Sequence, residues 1–327
     1  MRLLALALAA LPAVLGGAAD YKISGPYTHS NLAVYLVHAR EHTTTNTYVT
    51  LDEAMERRIV IVYETSDVNT LLIANISKDE VYVQSGDIVK GGKQDRVIKE
   101  DMILQSMSGK VPIQVFCVEH GRWTQRGSEA AGQFTSSKQS IAGNKMKLAV
   151  RAEADQRSVW DKVAEAQQRL ARNLSAPVQS AQSASSFQLT LESEKVRASA
   201  QAYESALSPI IDRYPDAVGY VVAVNGKVMS ADVYSSHALF SKLWPKLLAS
   251  AAVEAIGADK AAFAAPPPSQ AEIKSVVTGP KDAKPEAVRK VNARTEVQKK
   301  ESPGAVMFET RDATLAGTAV HRSYVAK

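Results

Sequence analysis

Two short stretches of this 327-residue chain bring together charged side chains, glycines and a thiol: Gly91-Gly92-Lys93-Gln94-Asp95-Arg96 and Cys117-Val118-Glu119-His120-Gly121-Arg122-Trp123. Each follows an apolar, strand-like run, and the ends of strands are where a rigid scaffold holds binding and catalytic groups. One chemistry they suit is anion binding. Glycine amides at a turn, with Lys93, Arg96 and Arg122 nearby, supply donors and positive charge for a phosphate or carboxylate. The expected ligand set is Gly92, Lys93, Gln94, Asp95, Arg96, Glu119 and Arg122. The spacing is not that of a phosphate loop, which needs G-x-x-x-x-G-K-[ST]. The competing reading makes Gly91-Gly92 a plain turn, braced by Arg96 and Arg122 paired with Asp95, Asp101 or Glu119. A third is hydrolysis, with Glu119 or His120 as general base. A Cys117 nucleophile fits poorly, because Cys117 and His120 lie three apart and point to opposite faces if the strand continues.

Other chemistry has little to build on. Cys117 is the single cysteine, so an internal disulfide and a cysteine metal cage are excluded. The six histidines form neither H-x-H nor H-E-x-x-H, and His38 with His42 reads as a solvent-exposed pair. No metal and no cofactor is expected. Trp123 and Trp160 read as core or staple residues. Trp244, beside Pro245, reads as part of a helix kink and lacks the basic and aromatic interleaving of a nucleic-acid platform. The formal charge of +5 is too mild to imply nucleic acid as a partner.

The elements that must position these residues follow from periodicity. Residues 32–37, 59–63, 70–74 and 81–83 are short apolar or β-branched runs between polar turns, as strands are. Alternation over 111–118 predicts a strand buried on both faces. Thr50 and Glu53 form a capping box for a short helix over 50–55. A second box is expected at 158–161, opening a helix with Val159, Val163, Ala166, Leu170 and Leu174 on one face, joined by an earlier helical segment around 145–154. Residues 175–186 read as a loop. Another amphipathic helix carries Val196, Ala200, Tyr203, Leu207 and Ile210 and ends before Pro215. Asn225-Gly226 between two β-branched runs is a hairpin signal, and 237–256 reads as a helix. The segment 258–302, with Pro266-Pro267-Pro268 and a Lys/Glu-rich run, reads as a mobile linker. Residues 303–327 read as a closing strand pair. This order predicts an α+β fold: a strand-rich N-terminal half, central helices, a hairpin and a further helix, then linker and strand pair.

At the start, Met1-Arg2, the apolar residues 3–15 and the small residues Gly16-Gly17-Ala18-Ala19 have the three parts of a secretory signal, cleaved before Asp20. The apolar run is shorter than the roughly 20 residues that span a bilayer. The expectation is a secreted or periplasmic protein with no transmembrane anchor after cleavage. Its expected divisions are 1–19, 20–257, 258–302 and 303–327.

The G-x-K-Q-x-R and C-V-E-x-G-R-W elements carry a resemblance, together with residues 48–54, the hairpin and Leu243-Trp244-Pro245-Lys246-Leu247-Leu248. The chain resembles the ARG and Rhodanese-Phosphatase-superfamily-associated Protein domain over residues 21–256, where ARG stands for ADP-ribosylglycohydrolase. The family's gene associations imply ADP-ribose or RNA-repair contexts, and no catalytic residues carry over. The signal peptide sets this chain apart from a cytoplasmic setting, and the tail after Ala264 reads as an addition. The leading expectation is a binding module for a small anionic or nucleotide-like ligand. The alternatives are a hydrolase acting on such a ligand and a structural or interaction module of the cell envelope.

Overall fold

A computed structural model describes residues 21–39, 47–65, 67–127, 129, 132–137, 141–260, 265–279, 283–315 and 319–327. The predicted signal segment and His42 lie outside them. The fold is α+β, as expected. Its largest sheet has nine strands. Seven run in the order Lys22–His29, Leu32–His38, Ala217–Val224, Lys227–Tyr234, Ala319–Ala326, Ala305–Asp312 and Thr295–Ser302. Two short strands, Lys284–Pro285 and Arg289–Lys290, both pair with Thr295–Ser302. All the pairings are antiparallel.

The central strands Leu32–His38 and Ala217–Val224 are buried at every position. That needs cover on both faces, since successive side chains alternate. Helix His237–Ile256 lies on one face, where Phe240, Leu243 and Leu247 join Leu32, Val34, Leu36 and Val222 in one core. Helix Gln270–Thr278 lies on the other, with Ile273 and Val277 against Ala33, Tyr35, Val37 and Val221.

The segment expected to be a mobile linker therefore contains a covering helix and a strand of the main sheet. Ser269 and Glu272 form a full capping box at the helix start, and Ile273 and Val277, one turn apart, form its apolar stripe. The strand Thr295–Ser302 buries Thr295, Val297 and Ser302 while Glu296, Gln298, Lys299, Lys300 and Glu301 stay partly exposed, so its charges tolerate a half-buried strand. The C-terminal strands are likewise interior to the sheet, with Lys227–Tyr234 pairing along Ala319–Ala326.

A six-stranded sheet carries the candidate residues. Its order is Phe134–Ser136, Ile88–Gly91, Arg96–Ile98, Gly109–Cys117, Thr70–Asn75 and Val60–Tyr63. A third sheet of three short strands, Val49–Thr50, Val81–Val83 and Met102–Leu104, lies in the same half of the chain. The capping box at Thr50 and Glu53 forms as expected and opens the helix Leu51–Glu56. Two local expectations change. The helix Gln156–Leu174 is capped by Asp155, whose carboxylate accepts from the Ser158 amide at 2.7 Å, rather than by Ser158 itself. The strand Gly109–Cys117 is buried on both faces only at its end, over Val115, Phe116 and Cys117.

Candidate functional site

The turn between Ile88–Gly91 and Arg96–Ile98 sits beside the chain leaving Gly109–Cys117, because Cys117 pairs with Arg96 across the sheet. The two stretches singled out by sequence are thus neighbours in space. They divide into two parts with opposite electrostatics.

The first part is saturated. Asp95 is fully buried. Its Oδ1 accepts from the Gly91 amide at 2.9 Å and Arg126 Nη2 at 3.0 Å. Its Oδ2 accepts from Arg126 Nη1 at 2.7 Å and Ser186 Oγ at 2.9 Å. Glu119, also buried, accepts from the Asp95 amide at 3.1 Å, Arg122 Nε at 2.7 Å and Arg126 Nη1 at 3.4 Å. Arg122 donates in addition to the carbonyls of Gly92 and Thr124. Burial pushes the Glu119 carboxyl up. Hydrogen bonds from Arg122 and Ser183 and from the Asp95 amide outweigh that and hold it below the usual carboxylate range. A buried ion network whose lone pairs are all engaged is a brace.

The glycines serve the same brace. A Cβ on Gly91 would lie 2.6 Å from the Gln133 carbonyl oxygen, and one on Gly92 would lie 2.3 Å from the Phe134 ring. Both have positive φ, which glycine alone adopts freely. The expected exposure of amides to an anion does not occur here. The Gly91 amide goes to Asp95, the Gly92 amide to the Gln133 carbonyl at 3.1 Å, and the Lys93 amide to Glu64 Oε2 at 2.8 Å. Gln94 is buried among them.

The second part is unsaturated. Arg96 is fully buried, yet Nη1 and Nη2 have no hydrogen-bond partner among the described residues. Its Nε donates to the Val68 carbonyl at 3.3 Å, and the nearest carboxylate oxygen, Glu64 Oε1, is 3.8 Å from Nη2. Trp123 lies over this end. It is 42% exposed, which corrects its reading as a core residue. Lys93 Nζ stands 5.0 Å and the Arg96 guanidinium carbon 5.6 Å from its ring centre. Cys117 is buried beside them, and burial pushes its thiol up to about 11, so it stays protonated and unreactive.

His120 lies beyond the end of the strand and is exposed, with its ring edge-on to Trp160 at 4.5 Å. Its main chain is tied to Ser185 Oγ on both sides. Among the described residues no hydrogen bond joins it to Glu119, which is buried.

Sequence reasoning missed Arg126, Ser186 and Glu64. Arg126 had a signal: Asp95 and Glu119, both buried, need more than the single guanidinium of Arg122. Ser186 caps the helix Phe187–Glu192 while donating to Asp95, a double role no local pattern reveals.

A second buried charge network was also missed. His321 places Nδ1 2.9 Å from Asp101 Oδ2 and Nε2 3.1 Å from Asp232 Oδ1. Lys147 Nζ donates to Asp232 at 3.0 Å, while Thr310 and the Ser85 amide donate to Asp101 at 2.6 and 2.8 Å. Burial disfavours charge on His321, but Asp101 and Asp232 prevail and raise its pKa above the ordinary value. An imidazolium donating from both nitrogens satisfies this geometry. Asp101 and Asp232 are held far below the usual carboxylate range despite burial, Asp101 by His321 and Arg151 and Asp232 by Lys147 and His321. Asp101, expected as a partner for Arg96 or Arg122, belongs to this network instead. Among the described residues no cluster of His, Cys, Asp and Glu is arranged to hold a metal ion.

Comparison with known proteins agrees with the motifs. Neither the curated proteins nor the solved structures give a match. The model of the ARG and Rhodanese-Phosphatase-superfamily-associated Protein domain matches residues 20–325. The match runs through the tail that had read as an addition, consistent with that tail's strands lying inside the main sheet. Matched over nearly its whole length, the chain belongs to the ARG and Rhodanese-Phosphatase-superfamily-associated Protein domain family.

Proposed function

We propose that this domain binds a small anionic, nucleotide-like ligand at the Arg96 end of the site. Lys93 and Arg96 supply charge there, and Trp123 supplies a face for a flat ring. The supporting observation is Arg96: a fully buried guanidinium whose two terminal nitrogens lack hydrogen-bond acceptors among the described residues. Leaving such donors unmet costs about 1–3 kcal/mol, more for a charged group. The cost disappears if an anion enters beside Trp123 and accepts from them. Asp95, Glu119 and Arg122 position this end without contacting the ligand. Nothing in the contacts of Glu119 or His120 favours the hydrolytic alternative.

The test is thermal unfolding of residues 20–327 with inorganic phosphate, AMP and ADP-ribose. A ligand at a hundred times its Kd stabilises by about 2.7 kcal/mol. A shift with at least one of these, lost in a folded Arg96→Met protein, is expected. A shift that survives Arg96→Met, or no shift with any of the three, overturns the reading.

We further propose that the chain is exported, with cleavage before Asp20, and acts in a secreted or periplasmic setting. The three-part pattern of residues 1–19 supports this. Protein from the periplasm or medium should begin at Asp20 on N-terminal sequencing. Recovery only in the cytoplasm with Met1 or Arg2 intact would refute it.

A further inference from the structure

A separate cleft lies between helix Gln156–Leu174, helix His237–Ile256 and the hairpin tip at Asn225, and it shares no residue with the Arg96 site. Its volume is about 470 Å³, within the range of roughly 300–1,000 Å³ typical of small-molecule pockets. The interior is apolar, formed by Ile141, Leu170, Phe187, Met229 and Val253. Ala166, Gly257 and Ala258 also line it, and larger side chains at these positions would fill it.

The wall and mouth are charged. Lys145 and Lys227 are exposed and Arg169 half-buried, all three lining the cleft. Arg169 is partly engaged by Glu165 at 3.3 Å. Glu254 opposes the cations from the wall, where its carboxylate packs against Gly143. A Cβ on that glycine would come 2.0 Å from Glu254 Oε1. Burial pushes the Glu254 carboxyl up, with Arg169, Lys145 and the Asn144 amide acting against that. Asp259 completes the rim. An apolar chamber with more cations than carboxylates at its edge has a definite complement.

We propose that this cleft is a binding site for a small amphipathic anion, with its hydrocarbon body among Leu170, Phe187, Met229 and Val253. Its carboxylate or sulfonate head sits at Lys145 and Lys227. The apolar body supplies the affinity through burial, and the two lysines select an acidic head over a neutral one.

The experiment titrates residues 20–327 with 1-anilinonaphthalene-8-sulfonate, followed by fluorescence, then competes it with decanoate or with decanol. Saturable one-to-one binding displaced by decanoate is expected, with decanol about tenfold weaker, a difference of about 1.4 kcal/mol. Ala166→Phe fills the chamber from a helix position and should weaken the dye more than tenfold. The Lys145→Glu, Lys227→Glu double variant alters only exposed side chains. It should weaken decanoate about tenfold and leave decanol unchanged. Arg96→Met should leave all three affinities intact, which separates this site from the nucleotide reading. Dye binding unaffected by Ala166→Phe in a protein with native circular dichroism overturns the proposal. So does decanoate binding indifferent to the double charge reversal, which decides the matter alone if Ala166→Phe does not fold.

Discussion

Asp95 and Arg96 are adjacent in the chain and equally buried, yet their surroundings are opposite. The Asp95 carboxylate receives donors from Gly91, Arg126 and Ser186 on both oxygens. Arg96 has one main-chain acceptor, for Nε, and among the described residues none for its terminal nitrogens. The cause is the onset of a strand. Asp95 still belongs to the turn and reaches toward the loop that carries Glu119 and Arg126. Arg96 is the first residue of Arg96–Ile98 and reaches toward Val68, Glu64 and Trp123. Burial alone therefore does not separate a brace from a site. Saturation does, since a structural network closes on itself and a binding group keeps unused valence.

The comparison breaks most readily at its saturated end. Asp95→Ala removes the shared acceptor of Arg126, Ser186 and the Gly91 amide and leaves the buried Arg126 guanidinium with Glu119 and Glu129 alone. A loss of about 3–5 kcal/mol is expected on urea unfolding. A loss under about 1 kcal/mol would mean that the network is not a brace.

In the Asp101–His321–Asp232 network the two carboxylates and both imidazole nitrogens are engaged, and pH tests it. His321 has a folded pKa above its unfolded value. Its contribution is therefore complete below about pH 6.5 and is lost as pH rises through the higher folded value. Asp101 and Asp232 are depressed, so theirs is present above about pH 4 and lost on acidification. Stability should fall above pH 6.5 with a slope approaching about 1.4 kcal/mol per pH unit. His321→Gln should remove that slope and also lower overall stability. An unchanged slope would show that another group titrates.

Legibility in the sequence tracks the distance over which each feature is written. The strand Leu32–His38, the Thr50–Glu53 capping box and the Asn225-Gly226 turn are local, and all form. Glu119 and Arg122, three apart, pair as expected. The partnership of Asp95 with Arg126 spans 31 residues, and that of His321 with Asp101 spans 220. No window of sequence contains either, so only the unmet need of a buried charge hints at them. The misread tail has another cause. Prolines and alternating charges are a sound signal for a solvated segment, but here they edge a helix and a half-buried strand. The Ser269–Glu272 box and the Ile273/Val277 spacing were present and outweighed by composition.

At the unsaturated end, smaller effects carry the contrast. Arg96→Met removes a buried charge whose terminal nitrogens have no hydrogen-bond acceptors among the described residues and keeps an unbranched apolar stem. Its stability should lie within about 1 kcal/mol of wild type, or above it, because replacing a poorly compensated buried ion with an apolar side chain is often neutral or stabilising. If Arg96→Met costs as much as Asp95→Ala, the two neighbours play the same role and the proposed division of the site fails.

Trp123→Ala should have the smallest effect on folding and the sharpest effect on recognition. The ring is substantially exposed, and contacts of this kind with Lys93 and Arg96 contribute about 0.5–1 kcal/mol at exposed sites. The melting temperature should fall by only a few degrees. The consequence for ligands divides by chemistry. Inorganic phosphate needs only the cations, so its stabilising effect should persist in Trp123→Ala and vanish in Arg96→Met. AMP or ADP-ribose gains from a flat ring against the indole, and base stacking on an aromatic side chain is worth about 1–3 kcal/mol, so their shifts should weaken in both variants. If AMP stabilises Trp123→Ala as well as it stabilises wild type, the indole covers Arg96 without reading a base, and the ligand is an anion with no ring to recognise.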